Sequence, residues 1–337
     1  MKLVVVDADV LGRQRTGDET YVRNLLRELA PLGERAGVRL AAVTRRPDLV
    51  PEGVEPVELR VRSQELRMAF SLPRALRRVG ADLCHTQYAL PLRPRCPCVV
   101  TVHDVSFARE PELMSRKDRL VFRRVVPRAV RRAARVLTVS ERTKRDLVEL
   151  WGVAEDRIVV TPNGVDPAFS PGDGAHDYVL AVGAIQQRKN QLAAFEAADA
   201  VGLPLVVAGP EKDRALAAEL RARGARVEGY VDAERLAALY RGAACLVQAS
   251  LYEGFGLPVL EAMASGTPVV AVHEPALEEV AGAAAVFVHE NRLADGIRQA
   301  LAERDRLVAA GLERARAFSW RATAERTLAV YQEILGS

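Results

Sequence analysis

The sequence predicts an α/β protein built from two parallel-sheet domains in tandem. Short runs of Val, Ile, Leu and Ala alternate with amphipathic segments along almost the whole chain of 337 residues. Such alternation is typical of parallel strands whose two faces are both covered by helices. The pattern stops once, at a stretch dense in Pro, Gly, Asn and Asp, and then starts again. Two successive units of one type therefore explain the length of the chain.

The first half opens with a run of Leu and Val that we predict to be a strand. A helix is predicted over 18–32, because Val22, Leu25 and Leu29 recur at helical spacing. Ser140 precedes a second helical segment and is expected to cap it. The strands predicted in this half are 3–7, 38–43, 81–85, 99–102, 136–139 and 158–160.

The segment 161–174 carries the densest turn chemistry and is the predicted boundary between domains. We expect a first domain at 1–166, a second at 167–317 and an amphipathic helix within 318–337 that returns to the first. The pair Asn163-Gly164 predicts a tight turn with positive φ, which would act as a hinge. The strands predicted in the second half are 178–182, 205–208, 226–229, 245–248, 269–272 and 286–288.

Composition excludes several classes of protein. With 49% apolar and 27% charged residues, the chain has the composition of a soluble globular protein and not of a disordered one. No apolar run approaches a membrane span, and the N-terminal run is too short for a signal peptide. Four cysteines do not make a disulfide framework here, and Cys96 and Cys98 are spaced one residue short of a usual metal pair. We therefore expect a cytoplasmic protein with plain thiols.

Charge is distributed unevenly along the chain. Residues 1–166 carry 31 Lys and Arg against 22 Asp and Glu, whereas the remaining residues carry 17 against 22. The excess lies in two basic runs, 60–78 and the amphipathic 116–135. Either these runs are solvated faces, or they meet an anionic acceptor or the inner face of an anionic membrane. Nucleic acid is not expected, because the runs lack interleaved aromatic residues.

The most specific stretch lies at 250–270, where Glu253 and Glu261 flank a glycine-containing turn and Pro258 suits the start of a helix. Gly254 and Gly256 allow a ligand to approach the backbone closely. The N–H groups of the following turn make an anion site suited to a diphosphate. Carboxylates do not bind phosphate, so the two glutamates are expected to accept hydrogen bonds from sugar hydroxyls. Since ligands of open parallel sheets lie beyond the carboxyl ends of the strands, the expected site is the cleft between the domains.

This stretch resembles the signature of the retaining glycosyltransferases of family 4 (group 1), which have the GT-B fold. The match includes the paired acids and the Gly254-Phe255-Gly256-Leu257-Pro258 run between them, and the resemblance extends over nearly the whole chain. It implies two Rossmann-like domains facing across a cleft, with a C-terminal helix crossing back. It also implies a nucleotide-diphosphate sugar as the donor, bound in part by the residues of this run.

A second match follows the strand 178–182. In the family, a cationic pair after this strand contacts the donor diphosphate, and two adjacent cations can stabilise a diphosphate as leaving group. Lys189 matches the family lysine, and Gly183 matches the glycine at the end of the strand. Many members carry an arginine directly after that glycine, where this chain has Ala184. Arg188 is expected to replace it.

Further matches concern the loops around the donor. Gly17 resembles the family glycine whose backbone N–H meets the donor phosphate, although Asp18 and Glu19 stand where members often have a second glycine. Asp18 could also be a helix N-cap. Tyr230 and Val231 resemble the loop whose backbone meets the nucleotide base.

Two histidines end predicted strands of the first domain. The pair His103-Asp104 matches the family's His-Asp, which implies that His103 lies beside the transferred sugar, where it orients a hydroxyl or stabilises positive charge through its carbonyl. Asp104 is a candidate acceptor contact. His85 is open to two interpretations, contact with a substrate or a place in the core.

The resemblance implies a metal-independent retaining hexosyltransferase. It would move a hexose from GDP-mannose or a UDP-sugar to a hydroxyl of a sugar, glycolipid, phosphorylated or small-molecule acceptor, with no further cofactor. A double displacement would need a nucleophilic carboxylate, for which no residue stands out. We predict independence of a metal ion, with Asp7-Ala8-Asp9 as the Asp-x-Asp sequence that follows a predicted strand. The alternative is a nucleotide-sugar-binding protein with impaired catalysis, for which Ala184 is the support. A dehydrogenase is excluded, because no Gly-x-Gly-x-x-Gly follows the first strand.

Overall fold

The computed structural model describes residues 1–13, 16–113 and 116–336, and the side chains of these residues except 16, 113 and 116–120. The side chains at the start of the second basic run, residues 116–120, therefore lie outside the described residues. The chain divides into two compact units, Met1–Gly164 with Trp320–Ser337, and Val165–Ser319. Each unit contains one sheet in which every strand pair is parallel, as the sequence predicts.

The described residues of the first unit form a seven-stranded sheet in the order β3-β2-β1-β4-β5-β6-β7. Val4 of the central strand pairs with Leu40 on one side and Leu83 on the other. The order reverses between β1 and β4, which makes the gap between their carboxyl ends the switch point of this sheet. The strands are β1 (Lys2–Asp7), β2 (Val38–Thr44), β3 (Glu55–Glu58), β4 (Leu83–Gln87), β5 (Cys98–Val102), β6 (Arg135–Thr138) and β7 (Ile158–Val160).

Helices cover both faces of this sheet. Because parallel crossovers are right-handed, the helix after β1 covers one face and the helices after β3 and β5 cover the other. The helices are α1 (Thr16–Arg35), α2 (Gln64–Leu66), α3 (Leu72–Val79), α4 (Ser106–Arg109), α5 (Arg116–Arg132) and α6 (Glu141–Trp151). A π-helical turn, Arg67–Ser71, joins α2 to α3 without a break. Ser140 caps α6 as predicted, its side chain accepting from the N–H of Thr143.

The described residues of the second unit form a six-stranded sheet in the order β10-β9-β8-β11-β12-β13. Its switch point lies between β8 and β11. The strands are β8 (Tyr178–Val182), β9 (Leu205–Ala208), β10 (Arg226–Gly229), β11 (Ala243–Gln248), β12 (Val269–Val272) and β13 (Val286–Val288). The helices are α7 (Gln191–Asp199), α8 (Arg214–Ala222), α9 (Ala233–Gly242), α10 (Leu257–Ala264), α11 (Pro275–Ala281), α12 (Leu293–Ala302) and α13 (Arg304–Ala315).

The last helix, α14 (Trp320–Leu335), belongs to the first unit and contacts α1. Its buried residues recur at helical spacing and include Ala324, Leu328 and Tyr331. The ring of Trp320 meets that of Tyr21 edge to face, with ring centroids 6.1 Å apart. Burial of this apolar face explains why the chain crosses back after Ser319. Among the helices described, none combines the length and apolarity that a membrane span requires.

Three local expectations are wrong. The strand β3 was not expected, because Glu55–Glu58 buries only Val57 and lies at the edge of the sheet. The Asn163-Gly164 pair makes no tight turn, since neither residue has a positive φ. The segment around it instead follows the first unit, where the hydroxyl of Thr323 donates to the carbonyl of Pro162 at 2.5 Å. Gly17 lies in the first turn of α1 and not in a loop before it, with Asp18 and Glu19 beside it at the end that favours acids.

Candidate functional site

The switch point of the second sheet brings together the cations and one glutamate of the two strongest motifs. Lys189 lies in the loop after β8, and Glu253 lies in the loop after β11. The ammonium of Lys189 contacts Oε1 of Glu253. A guanidinium nitrogen of Arg188 lies 3.6 Å from Oε2 of the same carboxylate and donates to the carbonyl of Tyr252. Two cations and one carboxylate therefore share one small volume at the carboxyl edge of the sheet.

The loop after β8 is shaped by two residues with positive φ. Gly183 has φ 141° and Asn190 has φ 52°, and Asn190 ends the short 3-10 turn that carries the cations. A Cβ on Gly183 would touch the side chain of Lys189 at 3.4 Å. Ala184 is buried, and its carbonyl accepts from the side-chain amide of Gln191 at 3.0 Å. Position 184 thus serves the packing of this loop, and Arg188 supplies its second cation.

The carboxyl group of Glu253 is buried and remains ionised. Burial alone would raise its pKa, but the charges of Lys189 and Arg188 outweigh burial and lower the pKa to about 2. The amide of Gln248 also donates to Oε1, at 2.7 Å. Sequence reasoning missed Gln248. The signal that could have identified it is a polar residue at the last position of an otherwise apolar strand, five residues before Glu253.

Glycines join the ends of the three neighbouring strands β8, β9 and β10. The N–H of Gly209 donates to the carbonyl of Gly229 at 2.7 Å. Gly209 has φ 149°, and a Cβ there would lie 2.1 Å from the carbonyl oxygen of Gly183. The backbones after β8 and β9 approach so closely that a side chain is excluded at this point. Sequence reasoning also missed Gly209. The signal that could have identified it is a glycine directly after a buried strand.

The helix α10 begins at the centre of the glycine-containing turn. Gly256 precedes it with φ 109°, and no side chain caps it. Pro258 stands in the first turn, where its missing N–H costs nothing. Phe255 is buried against the ring of Phe318, with centroids 5.8 Å apart. Gly254 and Leu257 complete the turn, at the end of α10 where the helix dipole favours an anion.

Glu261 is buried on α10 and accepts a hydrogen bond from the hydroxyl of Tyr240 at 2.8 Å. Burial raises its pKa to about 8, since the hydrogen bond from Tyr240 offsets only part of that effect and Asp166 adds to it. The two glutamates of the motif therefore differ in charge state at neutral pH: Glu253 is ionised, whereas Glu261 is largely protonated.

The loop that the resemblance assigns to the nucleotide base follows β10. Gly229 ends that strand with φ 74°, and Tyr230 comes next with an exposed side chain. Val231 is half-buried and precedes Asp232, which caps α9 through the N–H of Arg235. The chain therefore presents the backbone of Tyr230 and Val231 at the same edge of the sheet as Gly183.

The first unit holds His103 at the carboxyl end of β5. Its imidazole is buried against Tyr21, with ring centroids 4.7 Å apart, edge to face. Its carbonyl accepts from the hydroxyl of Thr143 at 3.3 Å. Burial lowers the pKa of His103, against the opposing charges of Asp18 and Asp104. Among the described residues, its buried Nε2 has no hydrogen-bond partner.

The other candidates of the first unit have local partners. Asp104 accepts from the N–H and the hydroxyl of Ser106 at 2.9 and 2.8 Å, which starts the short helix α4. His85 is fully buried, with Nδ1 2.5 Å from the hydroxyl of Tyr331 and Nε2 2.7 Å from that of Thr101. That geometry favours the second of its two interpretations, a place in the core. Gly17 is exposed, with open space around the position of a Cβ.

In the described part of the chain, no three His, Cys, Asp or Glu side chains are placed to share a metal ion. All four cysteines are free thiols.

Two family models match the chain in succession. One, described as Glycosyltransferase Family 4, matches residues 15–169, and the other, described as Glycosyl transferases group 1, matches residues 168–318. The two matches meet within a few residues of the division between the structural units.

Three relatives span most of the chain. The O-antigen chain mannosyltransferase B of Escherichia coli is 31% identical over 69% of this chain and 70% of its own length. A D-inositol 3-phosphate glycosyltransferase of Acidothermus cellulolyticus is 30% identical, over 95% and 86%. An MMP alpha-(1->4)-mannosyltransferase of Mycolicibacterium hassiacum is 30% identical, over 95% of each chain.

Solved structures share the fold over the full length. A sucrose-phosphate synthase from Thermosynechococcus elongatus superposes with a TM-score of 0.80 at 21% identity, covering 100% of both chains. HepE of Anabaena, solved in complex with UDP-glucose, gives a TM-score of 0.76 at 16% identity, covering 99% of this chain and 100% of its own. The fold expected from the resemblance is confirmed.

Proposed function

Because the chain belongs to the group 1 glycosyltransferases of family 4, we propose that it is a retaining hexosyltransferase that works without a metal ion. The family membership makes it a glycosyltransferase that uses a nucleotide sugar. The retention of configuration, the metal independence, the hexose and the role of each residue are our proposal.

One observation carries the proposal: Lys189 and Arg188 converge on Glu253 at the switch point of the second sheet. The donor diphosphate is assigned to these cations and to the start of α10, where Gly254, Phe255, Gly256 and Leu257 present the backbone. The two positive charges and the helix N-terminus then stabilise the departing diphosphate. This is the role that a divalent cation has in metal-dependent transferases.

The remaining donor contacts follow from the chemistry of each group. Glu253, which is ionised and already holds the amide of Gln248, accepts hydrogen bonds from hydroxyls of the sugar. Glu261, protonated at neutral pH, both donates and accepts, which suits the hydroxyls of the ribose. Gly183 and the backbone of Tyr230 and Val231 line the nucleotide. Gly17 of the first unit is assigned to the donor phosphate.

We assign retention to a front-face route. The leaving diphosphate takes the proton of the acceptor hydroxyl while the acceptor oxygen bonds to the anomeric carbon on the same face. Lys189 and Arg188 hold the charge on the diphosphate, and His103 stabilises positive charge on the sugar through its carbonyl or orients a hydroxyl. The unpartnered Nε2 of His103 supports this role.

The acceptor is assigned to the first unit, with Asp104 and His85 as the residues proposed from sequence. Both residues already have hydrogen-bond partners within the first unit, which supports a role in positioning neighbouring residues better than direct contact with the acceptor. Relatives named for mannose transfer, and one named for inositol 3-phosphate, support GDP-mannose as the donor and a sugar, glycolipid or phosphorylated acceptor. The UDP-glucose bound to HepE supports a UDP-sugar instead.

We also propose that the enzyme works in the cytoplasm, in peripheral contact with the inner face of the membrane. Four free thiols, three of them buried, suit a reducing compartment. The arginine-rich surface of the first unit supports contact with anionic lipid.

The alternative, a binding protein with impaired catalysis, rested on Ala184. A guanidinium nitrogen of Arg188 lies 3.6 Å from the carboxylate of Glu253, which supports the proposal that Arg188 replaces the missing arginine and that the chain is an active transferase.

The test starts with thermal shifts of the full chain in UDP, GDP and ADP, followed by turnover of the matching sugar nucleotides with and without EDTA. We expect one of the three nucleotides to raise the melting temperature of the protein. Product should form at the same rate with and without EDTA. NMR of the product should show that the anomeric configuration of the transferred sugar is unchanged. Binding without turnover would select the alternative, an inverted product would overturn retention, and loss of turnover in EDTA would overturn metal independence.

A further inference from the structure

Three large apolar side chains of the first unit are half-exposed and lie close together. Leu66 is 54% exposed, Phe70 is 51% exposed and Leu92 is 50% exposed. Leu66 and Phe70 are four residues apart on the continuous helix formed by α2, the π turn and α3, so they share one face. The N–H of Leu92 donates to the carbonyl of Met68 at 2.8 Å, which places Leu92 beside that helix. We call these three residues the apolar ridge.

A buried ion pair fixes the direction in which the apolar ridge points. Arg67, between Leu66 and Met68, turns inward and its guanidinium contacts the carboxylate of Asp7 at the end of β1. Met68 and Leu72 are also buried. Since one side of this helix is held against the sheet, Leu66 and Phe70 are held toward solvent.

Arginines surround the apolar ridge. Arg74 follows Phe70 by one turn, and its guanidinium lies 5.6 Å from the centre of that ring. Further along the same helix, and in the loop of Leu92, the exposed cations are Arg77, Arg78, Arg93 and Arg95. The acid within the helix is Glu65, which accepts from the hydroxyl of Ser63.

The second basic run lies on the same face of the sheet. Val125 of α5 packs against the same core cluster as Leu72 and Leu76 of α3. On α5, Val121 is exposed, and five arginines point to solvent: Arg123, Arg124, Arg128, Arg131 and Arg132. Runs that are about 40 residues apart in sequence are thereby joined into one basic surface by the right-handed crossovers.

We propose that this face of the first unit docks on an anionic lipid bilayer, with Leu66, Phe70 and Leu92 entering the boundary between headgroups and acyl chains. The arginines around them contact lipid phosphates. The inference deepens the proposed function, on which it rests for a membrane-borne acceptor, but its test needs no turnover.

A solvated charged face explains the arginines and leaves the apolar ridge unexplained. Single exposed apolar residues are ordinary on protein surfaces, whereas a cluster rimmed by charge marks an interaction site. A bilayer fits the combination, because apolar insertion and attraction to anionic headgroups add together, and the exposed Arg74 and Arg93 accompany Phe70 and Leu92.

The experiment is co-sedimentation of the full chain with vesicles of phosphatidylcholine, alone or with about 30% phosphatidylglycerol. We expect binding to the anionic vesicles and little to the neutral ones. The triple variant Leu66→Ser, Phe70→Ser, Leu92→Ser should bind about tenfold more weakly. The matched control Leu301→Ser removes an exposed leucine of the second unit and should bind as the wild type does.

Four results would overturn the docking surface: no vesicle binding by the wild type, equal binding to neutral vesicles, undiminished binding of the triple variant, or a loss in the Leu301→Ser control as large as in the triple variant. Circular dichroism melting checks that the triple variant folds. If it does not fold, Phe70→Asn alone replaces it, with the same expectation of weaker binding. Turnover of the sugar nucleotide, with a water-soluble and with a lipid-borne acceptor, is measured beside vesicle binding. Turnover without vesicle binding would overturn only the docking surface. Vesicle binding without turnover would overturn only the proposed transferase function.

Discussion

The ammonium of Lys189 and the carboxylate of Glu253 form a partly buried ion pair between residues 64 positions apart in sequence. The pair joins the loop after β8 to the loop after β11 across the switch point of the second sheet. The charges of Lys189 and Arg188 keep Glu253 ionised in the absence of a ligand. An arriving diphosphate finds a lysine that is already positioned, so little reorganisation is needed at the moment of reaction.

Removing the lysine tests the leaving-group role. We expect Lys189→Ala to lower kcat about 100-fold to 1000-fold, the usual effect of losing one group that stabilises developing negative charge. The measurement is steady-state product formation at saturating donor. Lys212→Ala is the matched control, because Lys212 is the other lysine of the second unit and its side chain is exposed. Near-normal turnover in Lys189→Ala would remove the assignment.

The stability of the protein should depend on pH through Glu253. Its pKa is about 2 in the folded protein against an ordinary value of 4.5, so the unfolded chain takes up the proton first as the pH falls. The ionised group therefore contributes about 3 kcal/mol to the free energy of unfolding above pH 5, and that contribution is lost between pH 5 and pH 2. Urea unfolding should give the wild type a larger free energy of unfolding than Glu253→Gln at pH 7. This difference in the free energy of unfolding should be less than half as large at pH 3. A difference that does not change with pH would contradict the ion pair.

Glu261 should show the opposite dependence. Its pKa is about 8 in the folded protein, so the folded state keeps a proton that the unfolded chain releases near pH 4.5. This group stabilises the fold at low pH, and about 5 kcal/mol is lost as the pH rises from 4.5 to 8. Because a glutamine stays neutral, the stability of Glu261→Gln relative to the wild type should rise between pH 5 and pH 9. A flat difference over that range would show that Glu261 is ionised in the folded protein.

The sequence predicted the architecture well, because its signals are local and repeated. Six of the seven strands of the first sheet and all six of the second were expected at or near their positions. The strand that was missed, Glu55–Glu58, buries one side chain and has no periodic signal. Asn163-Gly164 misled for the converse reason: its turn propensity is real, but contacts with α14 hold that segment in another conformation.

The site was predicted less completely, because its geometry depends on contacts between distant loops. Motifs singled out Lys189 and Glu253 separately, and nothing in the sequence showed that they pair. The opposite charge states of Glu253 and Glu261 follow from their partners, which are Lys189 in one case and Tyr240 in the other. Gln248 and Gly209 carry no motif, and only the three-dimensional approach of their strands gives them a role.

His85 provides a test that separates a core residue from a substrate contact. Both its ring nitrogens are hydrogen-bonded, and burial lowers its pKa to about 3. Tyr331→Phe removes one partner and leaves a buried nitrogen unsatisfied, which should lower the free energy of unfolding by about 1–3 kcal/mol. Tyr230→Phe, at an exposed tyrosine, should leave stability unchanged. Denaturation and acceptor kinetics are measured together, and a raised acceptor KM without any loss of stability would return His85 to the acceptor site.

Gly209 should be irreplaceable, and a second glycine provides the comparison. Gly209 and Gly202 both have positive φ, 149° and 74°, but a Cβ on Gly202 meets no atom within 4 Å. Gly202→Ala therefore adds only backbone strain, about 1–2 kcal/mol. Gly209→Ala adds the same kind of strain and a clash at 2.1 Å with the carbonyl of Gly183.

The clash at position 209 must displace one of the two backbones, and Gly183 starts the loop that carries Lys189. We therefore expect Gly209→Ala to lower the melting temperature well below that of Gly202→Ala. In whatever protein stays folded, Gly209→Ala should also weaken nucleotide binding, because the displaced loop carries Lys189. Differential scanning calorimetry and calorimetric titration with the preferred nucleoside diphosphate measure the two effects. Equal melting temperatures for the two alanine variants would mean that the loops after β8 and β9 are not held together at this point. Nucleotide binding that survives in Gly209→Ala would separate the position of Lys189 from that backbone contact.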